Sequence, residues 1–197
     1  MPSETDFLNG ALSEIGADHI SGIDDGSVNA NHCLIIYPSL RRALLRMHNW
    51  NFAEDRAELA QGPTPPEFEF SFSYPLAANI LKIKEYNGAS VDTTNLTLYP
   101  RVAVFKIEGR NLLTNDGEVK VVYIKDITDP NIWDSLFYQT LQVWLSSKLA
   151  TAIPKDIALS DRLLNRAISI FAPLAMAIDG QEGTVIPFTA DDLIWGR

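Results

Sequence analysis

The chain has 197 residues, with 25 acidic against 16 basic, a formal net charge of −9, and 46% apolar residues. That apolar content builds a core and excludes an intrinsically disordered chain, while the acidic balance excludes nucleic-acid binding by counterion release over the whole surface. Cys33 is the single cysteine, so an intramolecular disulfide scaffold is excluded as well. The opening MPSETDF has neither the basic nor the apolar region of a signal peptide. No apolar run reaches the roughly 20 residues of a membrane span. The reading is a chain made and kept soluble in a cytosol.

Thr5 is placed to cap a short helix in which Leu8, Ala11, Leu12 and Ile15 recur at helical spacing, with Gly16 suited to its end. Residues 17–26 read as a Gly- and Asp-rich loop. Ser27 then caps a second helix whose stripe is Ala30, Cys33, Leu34, Tyr37, Leu44 and His48. Pro38 lies inside that stripe and predicts a kink or a break, because it lacks an N–H and disfavours the helical conformation at Tyr37.

From Trp50 the pattern changes. Residues 51–60 read as a strand or extended arm, and Gly62, Pro63, Pro65 and Pro66 as a linker. Phe68, Phe70 and Phe72 alternate with polar residues, the period of a half-buried strand. Further strands are predicted over 80–86, 102–107, 111–114 and 118–124, with Asn115-Asp116-Gly117 as a hairpin turn between the last two.

Helix returns at Asp129-Pro130, an N-cap followed by proline at the first helical position. Trp133, Leu136, Phe137, Leu141, Trp144, Leu145 and Leu149 make a broad apolar face that Pro154 ends. A last helix carries Leu164, Ala167, Ile168, Phe171, Leu174, Ala175 and Ile178, with Pro173 predicting a kink. Residues 179–197 lack periodicity and read as an extended arm.

The expected fold is therefore α+β. Residues 1–50 and 129–178 form an antiparallel helical bundle, residues 51–128 a β-rich insertion, and residues 179–197 the C-terminal arm.

Catalytic and ligand motifs are absent. His19, His32 and His48 stand at no metal-ligand spacing. Asp24-Asp25-Gly26 and Asn115-Asp116-Gly117 read as turns rather than calcium loops, since neither carries alternate oxygen ligands closed by a Glu. There is no phosphate-binding glycine loop and no nucleophile elbow. The expectation is no enzyme, no cofactor and no metal.

Two clusters are candidates for interfaces. Arg41, Arg42 and Arg46 lie on the second helix, where guanidinium groups suit phosphate or an acidic protein surface. Leu193, Ile194 and Trp195 place an apolar anchor at the end of a terminal segment that would otherwise fray.

Several stretches resemble one family. They are Leu8-Asn9-Gly10-Ala11-Leu12 to Gly16, Ile20 to Asp24, and Cys33 to Leu45 with Tyr37-Pro38 and Arg41-Arg42-Ala43-Leu44-Leu45. Trp50-Asn51-Phe52-Ala53 and Arg56 to Ala60 follow, then Val122-Tyr123-Ile124, Thr128-Asp129-Pro130, Trp133, Phe137 and Leu149-Ala150. Together they resemble the tail tubular protein A-like head–tail adaptors of short-tailed bacteriophages. The resemblance implies a structural subunit of the virion neck, synthesised in the host cytoplasm. It implies a ring, expected as a dodecamer, between the portal protein and a tail tubular protein B-like nozzle. Genomic DNA would pass through the channel without specific binding, and no membrane would be involved. The alternatives are a neck-closing or head-completion protein, a tail-associated cell-wall hydrolase with two carboxylates converging in a cleft, or a cellular ligand-binding domain.

Overall fold

Ser3, not Thr5, opens the first helix. In the computed structural model, which describes residues 3–91 and 105–182, the Ser3 hydroxyl accepts from Asp6 N while the Asp6 carboxylate accepts from Ser3 N. This reciprocal cap satisfies two backbone donors at the start of α1 (Glu4–Ser13). Gly16 ends it as expected: at φ +67 it lets Gly16 N reach Ser13 O and Ala17 N reach Leu12 O, the paired bonds of a Schellman cap. Ser27 caps α2 (Val28–Met47), its hydroxyl accepting from Ala30 N.

α2 runs unbroken through Pro38, so of the kink or break expected there the break does not occur. Its inward face is Ala30, Cys33, Tyr37, Leu40, Leu44 and Leu45, whereas Leu34 is exposed. Cys33 is fully buried, and burial pushes its thiol pKa up to about 11. It is expected not to react with a thiol reagent at neutral pH until the chain is denatured; stoichiometric labelling of the native protein would contradict this packing.

After a 3-10 turn (Asn51–Ala53) come seven strands among the described residues: β1 (Glu54–Glu58), β2 (Phe72–Pro75), β3 (Ile80–Tyr86), β4 (Ala89–Ser90), β5 (Phe105–Glu108), β6 (Asn111–Thr114) and β7 (Lys120–Lys125). They form two antiparallel sheets, ordered β1-β7-β3-β4 and β2-β6-β5. The strand predicted over Phe68, Phe70 and Phe72 is confined to its end. Glu69 takes a positive φ of 73, which turns the chain and leaves Phe68 exposed while Phe70 is buried. Residues 102–104 of a predicted strand lie outside the described residues.

Asn115-Asp116-Gly117 does not close a hairpin. It carries the chain from β6 in one sheet to β7 in the other. Asp116 knots that crossing: its carboxylate accepts from Tyr86 Oη at 2.7 Å and its carbonyl from Tyr74 Oη at 2.9 Å.

β7 is buried on both faces. Ile124 and Leu81 face the helices, while Val121, Tyr123, Ile80 and Ile83 pack with Leu112 and Tyr74 of the smaller sheet. A strand covered on both sides reads as a continuous apolar run, and 121–124 is one.

Asp129-Pro130 is a turn rather than a helix start. Asp129 accepts from Asn131, and Ile132 N bonds back to Asp129 O. Asp134 is the true cap of α3 (Ser135–Ala152), accepting from Leu136 N and Phe137 N. α3 is enclosed on all sides over residues 140–147, while Ser135, Gln139, Lys148 and Thr151 nearer its ends are exposed, which is why its hydrophobic face spreads so widely.

Pro154 follows its end, and Asp156 caps a 26-residue helical run, Ile157–Glu182. That run comprises α4 (Ile157–Asn165), a π turn (Arg166–Phe171) and α5 (Ala172–Glu182). The π turn ends two residues before Pro173. Widening the helix there accommodates a residue that has no N–H and whose ring crowds the preceding turn. The expected arm therefore does not begin at 179, since Asp179 to Glu182 are helical.

Candidate functional site

The three arginines divide their roles. Arg41 is 6% exposed, and its Nε and Nη2 donate to the Asp126 carboxylate at 2.9 and 3.2 Å. Its guanidinium also sits 5.1 Å from the Tyr37 ring centroid. Burial works against the Arg41 charge, but the Asp126 and Tyr37 contacts outweigh it and raise its pKa above the usual value. Burial in turn pushes the Tyr37 hydroxyl up to about 12, so it stays neutral. Arg41 is thus an internal clamp between α2 and the residue that follows β7, which corrects its reading as a surface contact.

Arg42 stays half exposed, with a long 3.7 Å contact to the same carboxylate. Arg46 is exposed, and one of its guanidinium nitrogens donates to Leu81 O of β3. Of the cluster, Arg42 and Arg46 are the members at the surface, Arg46 with its guanidinium turned to β3. Leu193, Ile194 and Trp195 lie outside the described residues.

A second node joins the ends of two helices. Asp179 is 4% exposed and accepts from His48 Nε2 at 3.0 Å and from Asn51 N at 3.0 Å. Asn51 Nδ2 donates as well, to Asp179 O at 2.7 Å. Trp50, between them in sequence, packs edge-on against Phe137 at the start of α3. The end of α2, the start of α3 and the end of α5 therefore meet at one pole, and α2 and α5 run toward it.

Asp179→Ala is expected to cost about 1.5–3 kcal/mol, the range for hydrogen bonds to a charged group. Hydrogen exchange should accelerate first in residues 172–182. Unchanged protection there would show that the node does not hold the helix end.

The same helical run carries the exposed apolar surface. Ile170, Leu174 and Ile178 are 55, 46 and 38% exposed and follow one another at four-residue spacing. Its inner residues Leu163, Ala167 and Ala175 belong to the helical core. Ile157–Glu182 is long and apolar enough to cross a membrane by length and composition, with 28% of the window buried. This revises the expectation that no such segment exists. On α2, Val28 and Ile35 are exposed at 70 and 75%.

The larger sheet has one open depression of about 390 Å³ in which Glu58 and Glu85 alternate with Arg56 and Lys120. Glu58 pairs with Lys120 in register and Glu85 with Val122. The two glutamates are thus two strands and two residues apart, roughly 12 Å between Cα positions from strand spacing. Glu118 and then Glu58 raise the Lys120 pKa, so these charges balance locally. Among the described residues, no group of three His, Cys, Asp or Glu side chains is arranged to hold a metal ion.

No protein-family model matches the chain, and no curated protein matches it. The interior clamps depend on partners distant in sequence: Asp126 is 85 residues from Arg41 and Asp179 is 131 from His48. Local pattern could not have found them.

Proposed function

We propose that the chain is a structural head-to-tail adaptor of a short-tailed phage virion. In this reading an antiparallel helical bundle with a β-rich insertion and an extended C-terminal arm assembles as a ring. The ring joins the portal to the tail nozzle and extends the DNA channel. The resemblance supplies the assignment. The observation that carries it is the outer stripe Ile170, Leu174 and Ile178 on a helix whose other face is core. A contiguous exposed apolar stripe marks an interaction surface, and its place on a helix whose other face is core supports a protein partner.

The acidic balance of the chain fits a wall past which DNA slides without sticking. The sheets are joined to α2 through Arg41 and Asp126, and in this reading they offer a docking surface beyond the ring. The portal ring encoded in the same genome provides the test. Mixed with the purified chain and sedimented, it is expected to gain the mass of a ring of subunits. A portal that gains no mass would overturn the adaptor reading.

A further inference from the structure

Two outer helix surfaces of this chain are complementary to each other. Read from N- to C-terminus, the α2 side begins acidic at Asp24 and Asp25, becomes apolar at Val28 and Ile35, and ends basic at Arg42 and Arg46. The last helical run reads in the opposite sense: basic at Arg162 and Arg166, apolar at Ile170, Leu174 and Ile178, acidic at Glu182.

The charges are segregated along the whole chain as well. Residues 1–40 hold six carboxylates and no Lys or Arg. Asp25 stays ionised because hydrogen bonds from Ser27 and Ser21 bring its carboxyl down to about 2. Arg166 reaches Glu14 of its own chain at only 3.8 Å, with its side chain 48% exposed, so its charge remains available outside.

The spacings agree. From Ile35 to Arg42 is seven residues and from Leu174 to Glu182 is eight, about 10 and 12 Å along a helix. On the other side Asp25 precedes Ile35 by ten residues, while Arg166 and Arg162 precede Leu174 by eight and twelve. Laid parallel with Ile35 against Leu174, the two surfaces bring this central apolar pair together and opposite charges near one another at both ends, with Val28 falling beside the Arg166 stem. Laid antiparallel, they would bring Arg42 and Arg46 against Arg162 and Arg166.

The parallel alignment is also the one a rotation generates. Within one chain α2 and α5 run toward the same pole, where His48 and Asn51 meet Asp179. A rotation about an axis along those helices preserves their direction, so α2 of one copy lies parallel to α5 of the next. Two different patches meet in such a contact, which is heterologous and closes into rings.

We infer that the outer face of α2 docks on the Ile170–Leu174–Ile178 stripe of a second copy of this chain, in parallel and in charge register. The inference rests on the ring reading and assigns its subunit contact.

The test uses full-length chains, free and on portal rings, one carrying Ile35→Cys and the other Leu174→Cys; the native Cys33 is buried. Under mild oxidation the mixture is expected to give the 35–174 cross-link well above either like-with-like dimer. Adding Arg42→Glu to the first chain should lower the yield by up to about fivefold, the upper end for an exposed ion pair. Glu182→Lys in the second chain should restore it. At about 1 M salt, where the screening length falls to about 3 Å, the effect of both charge changes should vanish.

Equal like-with-like and mixed yields, or no cross-link in either setting, would overturn the contact. A cross-link indifferent to both charge changes at low salt would overturn the register. If the thiol introduced by Leu174→Cys becomes accessible only when residues 183–197 are removed, the stripe is covered within its own chain and the inference fails. It fails equally if the chain floats with phosphatidylcholine vesicles and Leu174→Lys abolishes that. Portal binding without the cross-link would leave the adaptor reading standing and remove only this surface; the cross-link without portal binding would do the reverse.

Discussion

Replacing Asp126 by Ala is expected to destabilise the chain by about 3–5 kcal/mol, the cost of leaving a buried charge without its partner. Arg41 is 6% exposed and both of its observed hydrogen bonds end on that one carboxylate. Its stacking on Tyr37 offers a ring face but no second anion. For a chain of this length the loss corresponds to a Tm lower by roughly 6–20 °C. A thermal or urea unfolding curve measures it directly.

The same site gives a sharper comparison. Removing both charges with apolar residues of similar bulk, as Arg41→Met with Asp126→Leu, should recover most of the loss, because neither charge then has to be desolvated. If the pair acts as argued, the double variant is more stable than Asp126→Ala alone. If the double variant is the less stable of the two, the site depends on its polar contacts for more than charge balance, and the clamp account is wrong. The comparison also bears on the ring, since Asp126 touches both buried Arg41 and outward Arg42. A fold that survives the double variant with altered assembly would separate the two roles.

Local signals carried the helices well and the sheets partly. Ser27, Gly16 and Pro154 act where they stand in sequence, because caps and stops work within four residues. The same locality explains the misplacement at α3. Asp129 and Asp134 are equally good caps by residue type, and only the turn through Asn131 and Ile132 decides between them.

Strand partners are a different matter. Asn115-Asp116-Gly117 has the composition of a hairpin turn, yet Tyr86 and Tyr74, about thirty and forty residues earlier, hold Asp116 at a crossing between sheets. For the interface, the arginine cluster was legible as a group and not as individuals. Which of Arg41, Arg42 and Arg46 is spent inside depends on where β7 brings Asp126.

Trp50→Ala is the second substitution expected to be severe, at about 3–5 kcal/mol for truncating a buried Trp. Trp50 is fully buried, and its ring lies 5.0 to 5.9 Å from those of His48, Phe52 and Phe137. Its indole N–H donates to Leu44 O at 3.0 Å, turning the chain back onto the end of α2. That carbonyl lies in the last turn of α2, so the bond ties the Trp50 ring to the helix end.

Trp50→Phe separates the two contributions. It keeps an aromatic ring in the cluster and removes the donor, so about 1–2 kcal/mol is expected. A Phe variant as unstable as the Ala variant would mean that the hydrogen bond, and not the ring packing, fixes the pole. In that event His48 and Asn51 should lose their hold on Asp179 as well, and hydrogen exchange in residues 172–182 would rise in the Phe variant. A modest loss with those amides still protected would instead locate the stability of the pole in the packed rings. The parallel course of α2 and α5, on which the subunit contact depends, would then rest on the same core.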